Sequence, residues 1–380
     1  MDAGQTPPIR GLEPQSLRQA FDATTPFTVG LEEEVMLLDP ETLDLAPRGA
    51  DVLSRLDGDP RYTGELPAAQ LEIRTEPAAT VREAISALAR GRRELTSAAE
   101  GIARLAAAGV HPFAAAEGEL SRSERYDRIH AEFGPIARRQ LVTSLQVHVA
   151  VGDAERTLAV YNALRGHLPD IAALAANAPF YEGRDSGFAS IRPKVAELLP
   201  RQGMPPPIAS WGSFADELRW GAAAGTVAEP GSWWWELRPH TVFGTLEIRV
   251  PDAQTTIGEA SAVAAFAQAL VAWLSARHDE GHELGAPESW RIEENRWSAA
   301  RHGVEGRMAN LETGEPERTR DRLGGLLDLL EPTAALLESS AELTAARRLV
   351  DANGAMRQRG IASDRGVRGL AGWLAERFLD

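Results

Sequence analysis

The stretch Phe27-Thr28-Val29-Gly30-Leu31-Glu32-Glu33-Glu34-Val35-Met36-Leu37-Leu38 alternates through its first nine residues, with Glu33 the one charged residue on the apolar side. Phe27, Val29, Leu31, Glu33, Val35 and Leu37 fall on one side of an extended chain. Thr28, Gly30, Glu32, Glu34 and Met36 fall on the other. Period-two patterning of this kind marks a strand with one buried and one polar face. It places Glu32 and Glu34 side by side, roughly 7 Å apart at ~3.4 Å per residue. Two carboxylates at that spacing repel one another, and a divalent cation relieves the repulsion. A solvated strand face is the bland alternative for an isolated Glu-x-Glu.

Three other stretches repeat the pattern. Gln70–Glu76 sets Leu71, Ile73 and Thr75 against Glu72, Arg74 and Glu76. Leu141–Val151 sets Leu145, Val147 and Val149 against Gln146 and His148, and Gly244–Val250 sets Leu246 and Ile248 against Glu247 and Arg249. Strands polar on one face favour an antiparallel or mixed sheet over an all-parallel one. If they are neighbours, Glu32, Glu34, Glu72, Glu247 and His148 converge on one surface. His148 taken alone also fits a core histidine bonded to backbone.

Helical patterns fall between the strands: Val81–Ala108, Asp153 to about Ala176 with an interruption at Pro169, Gln254–His278, Arg318–Arg348 and Gly366–Phe378. Helices against the apolar face of such a sheet make an α+β fold. Trp233–Arg238, Pro239–Phe243 and Gly244–Val250 read as a hairpin. Arg201–Pro207 contains three consecutive prolines and reads as a surface segment, and the loop Arg201–Ser213 is suited by composition to a lid. Residues 1–22 are expected as an N-terminal arm and residues 23–380 as one catalytic domain.

Composition narrows the chemistry. The 380 residues include no cysteine, which excludes disulfides, thiolate catalysis and cysteine metal sites. Carboxylates and histidines then favour hard ions, Mg²⁺ or alternatively Mn²⁺. A net charge of −15 argues against a nucleic acid partner. No apolar leader is seen in Met1–Asp22, and Ser261–Leu274 is too short for a membrane span, so a cytoplasmic protein without a membrane partner is expected. No G-x-x-x-x-G-K-[ST] loop occurs, and a metal cluster of this kind is how a protein without that loop positions ATP.

Gly30-Leu31-Glu32-Glu33-Glu34 with Leu38-Asp39-Pro40-Glu41-Thr42 resembles the opening of the bacterial type 2 glutamate–cysteine ligases, also called carboxylate-amine ligases. The resemblance continues through Gln146-Val147-His148-Val149, Leu174 to Phe180 and Gly187 to Arg192. It runs on through Trp235 to His240, Gly244 to Arg249, Glu294 to Trp297 and Asn353 to Ala355, with motif order kept. It implies a curved, mostly antiparallel sheet with helices on its outer face, as in the glutamine synthetase and guanidino kinase group. It implies ATP and Mg²⁺ as cofactors, with Glu32, Glu34, Glu72, His148 and Glu247 as metal ligands. Arg249 would meet the transferred phosphoryl group, and Glu247 and Arg249 would be the catalytic pair. Where many members have His-Val-His-Val, this chain has Gln146, which cannot titrate and bears on amino-acid specificity.

Four further residues are candidates with bland alternatives. Arg192 and Arg301 suit a substrate carboxylate, or are surface arginines. Trp234 suits nucleotide stacking, or hairpin packing alongside Trp233 and Trp235. Asn295 suits substrate binding, or a helix-start or turn position.

The implied reaction is ATP-dependent joining of a carboxylate to an amine through an acyl phosphate, nominally L-glutamate with L-cysteine, with weak activity on that pair left open. The partners are then small molecules, with room for a homodimer. A guanidino or amino-acid kinase on the same scaffold and a non-catalytic sensing module are the alternatives.

Overall fold

The computed structural model describes residues 13–225 and 233–380. Its strands, in chain order, are β1 (Val29–Leu38), β2 (Tyr62–Gly64), β3 (Gln70–Arg74), β4 (Arg104–Ala106), β5 (Leu145–Ala150), β6 (Phe180–Tyr181), β7 (Arg184–Asp185), β8 (Gln202–Gly203), β9 (Trp234–Trp235), β10 (Leu237–His240), β11 (Thr245–Ile248), β12 (Arg307–Ala309) and β13 (Pro316–Arg318). The helices are α1 (Pro14–Asp22), α2 (Gly49–Leu53), α3 (Val81–Ala98), α4 (Glu124–Phe133), α5 (Ala154–Leu164), α6 (Leu168–Ala175), α7 (Arg192–Ala196), α8 (Trp211–Ala223), α9 (Ile257–Asp279), α10 (Ser289–His302), α11 (Thr319–Leu336), α12 (Ser340–Asp351) and α13 (Gly354–Glu376).

One seven-stranded sheet organises the fold, in the order β10-β11-β5-β1-β3-β2, with β4 also on β1. Every pairing in it is antiparallel. The alternation read from the sequence decides which face is covered. Leu31, Val35, Leu71, Ile73, Val147, Val149, Leu246 and Ile248 share one core with Leu88 and Leu95 of α3 and with Phe266 and Leu270 of α9. Fully burying such a side chain contributes about 1.5–3 kcal/mol, so a one-residue slip of any strand would be costly. The result is the expected α+β layering.

Glu33 lies on this apolar side, fully buried. Arg92 of α3 meets both its oxygens, at 2.7 and 2.6 Å. The other guanidinium hydrogens reach the carbonyls of Gln254, Thr255 and Phe378. One buried pair thus ties the central strand to α3, to the approach to α9 and to the chain's end.

Capping sets several boundaries. Thr80, Asp153 and Thr256 each accept a backbone N–H from the first turn of α3, α5 and α9. The Thr256–Glu259 pair is a full capping box.

Several sequence expectations need correction. The helix expected over Val81–Ala108 stops at Ala98; Gly101 turns with φ +73°, and the chain returns as β4. The helix expected over Arg318–Arg348 is two, α11 and α12, parted where Glu338 takes φ +55°. The last helix begins at Asn353's cap rather than Gly366, which is instead a kink within it. Pro14–Asp22 is not loose: Leu17 and Phe21 of α1 are buried in the main core. The proline segment is fastened, with the carbonyls of Pro205 and Pro206 accepting from Arg165 and Tyr161, so it does not hang as a free lid. Finally, α9 is long and apolar enough to cross a membrane by composition, but it is packed inside the fold with most of its length buried.

Candidate functional site

The sheet's other face carries the polar residues, and its register brings them together. On β1 and β3, Glu34 stands opposite Glu72. On β1 and β5, Glu32 stands opposite Gln146 and Gly30 opposite His148. On β5 and β11, His148 stands opposite Glu247. Hydrogen-bonding ladders fix these pairings, so convergence follows from register rather than from long flexible side chains.

Two clusters result. Glu32, His148 and Glu247 bring ligand atoms within 4.8 Å of one another, and so do Glu34, Glu65 and Glu72. Glu32 of the first and all three carboxylates of the second line one cavity of about 400 Å³. Its lining also includes Tyr126 and Ile129 of α4, Trp234, Glu236, Arg296 and the turn residues Val242 and Phe243.

The first cluster is compensated by cations. Arg238 on β10 donates to both oxygens of Glu247, at 2.6 and 2.9 Å. Arg249 donates to Glu247 and to the Gln146 carbonyl oxygen. Burial acts to raise the Glu247 carboxyl, but Arg238 and Arg249 outweigh it and hold the group well below its usual range. Burial likewise opposes ionisation of Glu32, and His148 overcomes it. His148 in turn is held above its ordinary value, because Glu32 outweighs burial.

The second cluster is under-compensated. Burial first, and then the charges of Glu32 and Glu34, push Glu72 up to about 7 despite Arg74 at 2.5 Å. Glu65 is raised well above the carboxylate range, by burial and then by Glu72 and Glu34. Burial raises Glu34 as well, although Ser144 donates both its backbone N–H and its hydroxyl to it, at 2.7 and 3.0 Å.

Both clusters fit divalent cations. His148 Nδ1 is 2.9 Å from the Thr245 hydroxyl, while its Nε2 is buried without a hydrogen-bond partner, 3.6 Å from Glu32. An orphaned imidazole nitrogen facing carboxylates is a donor set for a metal. Three crowded carboxylates in the second cluster are an all-oxygen set suited to Mg²⁺ or Mn²⁺.

The structure brings Glu32, Glu34, Glu72, Arg249, Gln146 and Trp234 into the lining of the cavity, while His148 and Glu247 are buried next to Glu32 and do not line it. Trp233, by contrast, is in the core against Phe214 and Trp235. Arg192 reaches the wall, but its Nε is bound by Asp252 and its Nη2 by the carbonyls of Arg249, Val250 and Pro251. Arg301 is not brought in: it lies over the Phe188 ring, outside the lining. Nor is Asn295, whose side chain brackets the Ala309 backbone, donating to its carbonyl at 2.8 Å and accepting its N–H at 2.7 Å.

Glu65, Arg238 and Ser144 were missed from sequence. Arg238 was within reach, since it stands opposite Glu247 in the hairpin already read there. Glu65 follows β2, a three-residue strand too short to show a period, and only the pairing of β2 with β3 carries it in.

Comparison with known proteins gives the family. Residues 28–369 match the family described as glutamate-cysteine ligase family 2. A Rubrobacter xylanophilus protein named "Putative glutamate--cysteine ligase 2-3" is 39% identical over 363 residues, covering 94% of this chain and 98% of its own length. A Thermobifida fusca relative named "Putative glutamate--cysteine ligase 2" is 34% identical, covering 91% and 89%. Among solved structures, a Francisella tularensis glutamate–cysteine ligase in complex with AMP superposes with a TM-score of 0.68 at 12% identity, covering 94% of this chain and 90% of that one. A Pasteurella multocida bifunctional glutathione synthetase gives 0.59 at 13% identity, covering 95% and 53%. At those identities the likeness is one of fold. The chain belongs to the glutamate–cysteine ligase family 2, and is a ligase of the kind that forms carbon–nitrogen bonds.

Proposed function

We propose that this cavity binds Mg–ATP and joins a carboxylate to an amine through an acyl phosphate, nominally L-glutamate to the amine of L-cysteine. The observation that supports the reading best is the pair of adjoining acidic clusters, of which Glu32, Glu34, Glu65 and Glu72 line one cavity with Arg238 and Arg249. A binding module would have little use for six ionisable ligands of which four are held at raised pKa; such groups mark sites of chemistry.

Glu32, His148 and Glu247 would hold one ion and Glu34, Glu65 and Glu72 another. Bound there, the ions supply charge neutralisation for the ATP phosphates and for the carboxylate about to be phosphorylated. Arg249, anchored by Glu247 and Gln146, presents fixed positive charge at the junction of the clusters, where phosphoryl charge would develop. The carboxylate oxygen attacks the γ-phosphorus, and ADP leaves. The amine then attacks the acyl carbon and expels phosphate; without phosphorylation the leaving group would be oxide. Water in the cavity would hydrolyse the acyl phosphate, so cover matters. Helix α4 contributes Arg125, Tyr126 and Ile129 to the wall and has no buried residue of its own, which suits it to that role better than the fastened proline segment.

The Francisella tularensis structure was solved with AMP, which supports a nucleotide in the equivalent fold. A cytoplasmic, magnesium-dependent enzyme acting on small molecules is the corresponding setting. The test is ADP release by purified protein across a panel of carboxylates and amines. Stimulation by one pair with amide formed supports the ligase, a phosphorylated carboxylate without amide would indicate a kinase, and no stimulation by any pair would defeat the reading.

A further inference from the structure

The mouth of the cavity next to the first acidic cluster carries an aromatic surface with no role in metal binding. Phe243, in the turn between β10 and β11, is 55% exposed, and its neighbour Val242 is 37% exposed. Both line the cavity. The Phe243 ring lies flat on His240, centroids 4.2 Å apart and planes 11° apart. His240 and Phe243 in turn stand edge-on to His148, at 5.5 and 5.8 Å.

This exposed ring is rigidly presented. The Phe243 backbone N–H donates to His240 Nδ1, and the Gly244 N–H to the His240 carbonyl. Gly244 has φ +67°, and a Cβ there would lie 2.2 Å from the Ala20 carbonyl oxygen of α1. Only glycine lets the turn dock so closely, and docking fixes the ring.

The other aromatic rings of the lining are more fully engaged. Trp234 meets the Phe133 edge at 6.1 Å and has the Arg201 guanidinium over its face at 5.6 Å. Tyr126 has Arg125 over its ring and donates its hydroxyl to the Gly64 carbonyl. Phe243 has one face on His240 and remains 55% exposed.

We propose that the Phe243–His240 stack is the platform for the base of the nucleotide, which places the base beyond β11 and leaves the Trp234 side of the cavity to the carboxylate and amine. This rests on the nucleotide reading above. The triphosphate would run from the stack onto Glu32, His148 and Glu247, which adjoin it. Stacking on an aromatic face is tolerant of base identity and contributes through area and dispersion.

The test is calorimetric titration, in Mg²⁺, of the full chain with ATP and with inorganic tripolyphosphate, which has the phosphates but no base. Wild-type protein is expected to bind ATP the more tightly. Phe243→Ala is expected to weaken ATP binding on the order of tenfold while leaving tripolyphosphate binding unchanged; Phe243→Trp should restore the difference. Thermal melts check that the exposed substitution leaves the fold intact. The inference is overturned if Phe243→Ala leaves the ATP-to-tripolyphosphate ratio as in wild type, if wild type binds both equally, or if Trp234→Ala rather than Phe243→Ala abolishes the ratio. Wild-type protein that binds neither would instead bring down the nucleotide reading itself.

Discussion

Glu32 and Glu34 are two residues apart on the same face of β1, yet they belong to different acidic clusters. Glu32 joins His148 and Glu247, and Glu34 joins Glu65 and Glu72. Between them, Gln146 donates to Glu34 at 3.1 Å through its amide nitrogen and accepts from Arg249 through its oxygen. The dipeptide spacing of a strand is thus used to hold two sites side by side.

Glu32→Gln and Glu34→Gln should each lower turnover by about 100-fold or more, the scale of losing one preorganised electrostatic group. They should do so differently. Titration of Mn²⁺ by electron paramagnetic resonance is expected to show each variant losing a different class of bound ion. Loss of the same class in both would contradict the two-cluster assignment.

The pKa of Glu72 gives a pH dependence with a definite sign. Its folded value of about 7 lies above the ordinary 4.5, so the folded state holds this proton more tightly than the unfolded chain does. The stabilisation is complete below about pH 4.5 and is lost as pH rises through about 7. Metal-free protein should therefore lose stability over that window, and Glu72→Gln should flatten the loss. Because a cation needs the anion, added Mg²⁺ should raise the melting temperature more at about pH 8 than at about pH 5. Thermal melts in chelator and in Mg²⁺ read both effects.

Glu33→Gln tests the opposite face of the same strand. It leaves Arg92 buried and incompletely paired, which should cost about 3–5 kcal/mol in denaturant unfolding. Activity per folded molecule should be retained, since Glu33 faces the helices and not the cavity. A large fall in kcat with unchanged stability would show that this assignment of faces is wrong.

Arg301→Ala is expected to leave the KM for the carboxylate unchanged, because Arg301 lies over Phe188 outside the cavity. Asn295→Ala should act on stability, by about 1–3 kcal/mol, through the unsatisfied Ala309 backbone groups it leaves. Steady-state kinetics beside denaturant unfolding separates the two.

Much of this arrangement was legible because strands expose their faces directly. The alternation in Val29–Leu38, Gln70–Arg74, Leu145–Ala150 and Thr245–Ile248 decided both the sheet and the side on which Glu32, Glu34, Glu72, His148 and Glu247 stand. What failed was local and has local causes. The strand Arg104–Ala106 is too short to interrupt a helical pattern, and the break at Glu338 has no glycine or proline to announce it. Arginines were hardest to place. Arg192 and Arg301 share a residue type and a plausible role, but their actual partners, Asp252 and Phe188, lie 60 and 113 positions away in the chain, a distance no local pattern spans.

Activation of a carboxylate by phosphorylation in the cavity over β1, β3, β5 and β11 is what the two acidic clusters would serve. The most direct measurement follows ¹⁸O from labelled carboxylate substrate during turnover with Mg–ATP and amine. Transfer of one ¹⁸O per amide formed into inorganic phosphate is predicted. Amide formed with unlabelled phosphate, or no amide across the substrate panel, would contradict the account.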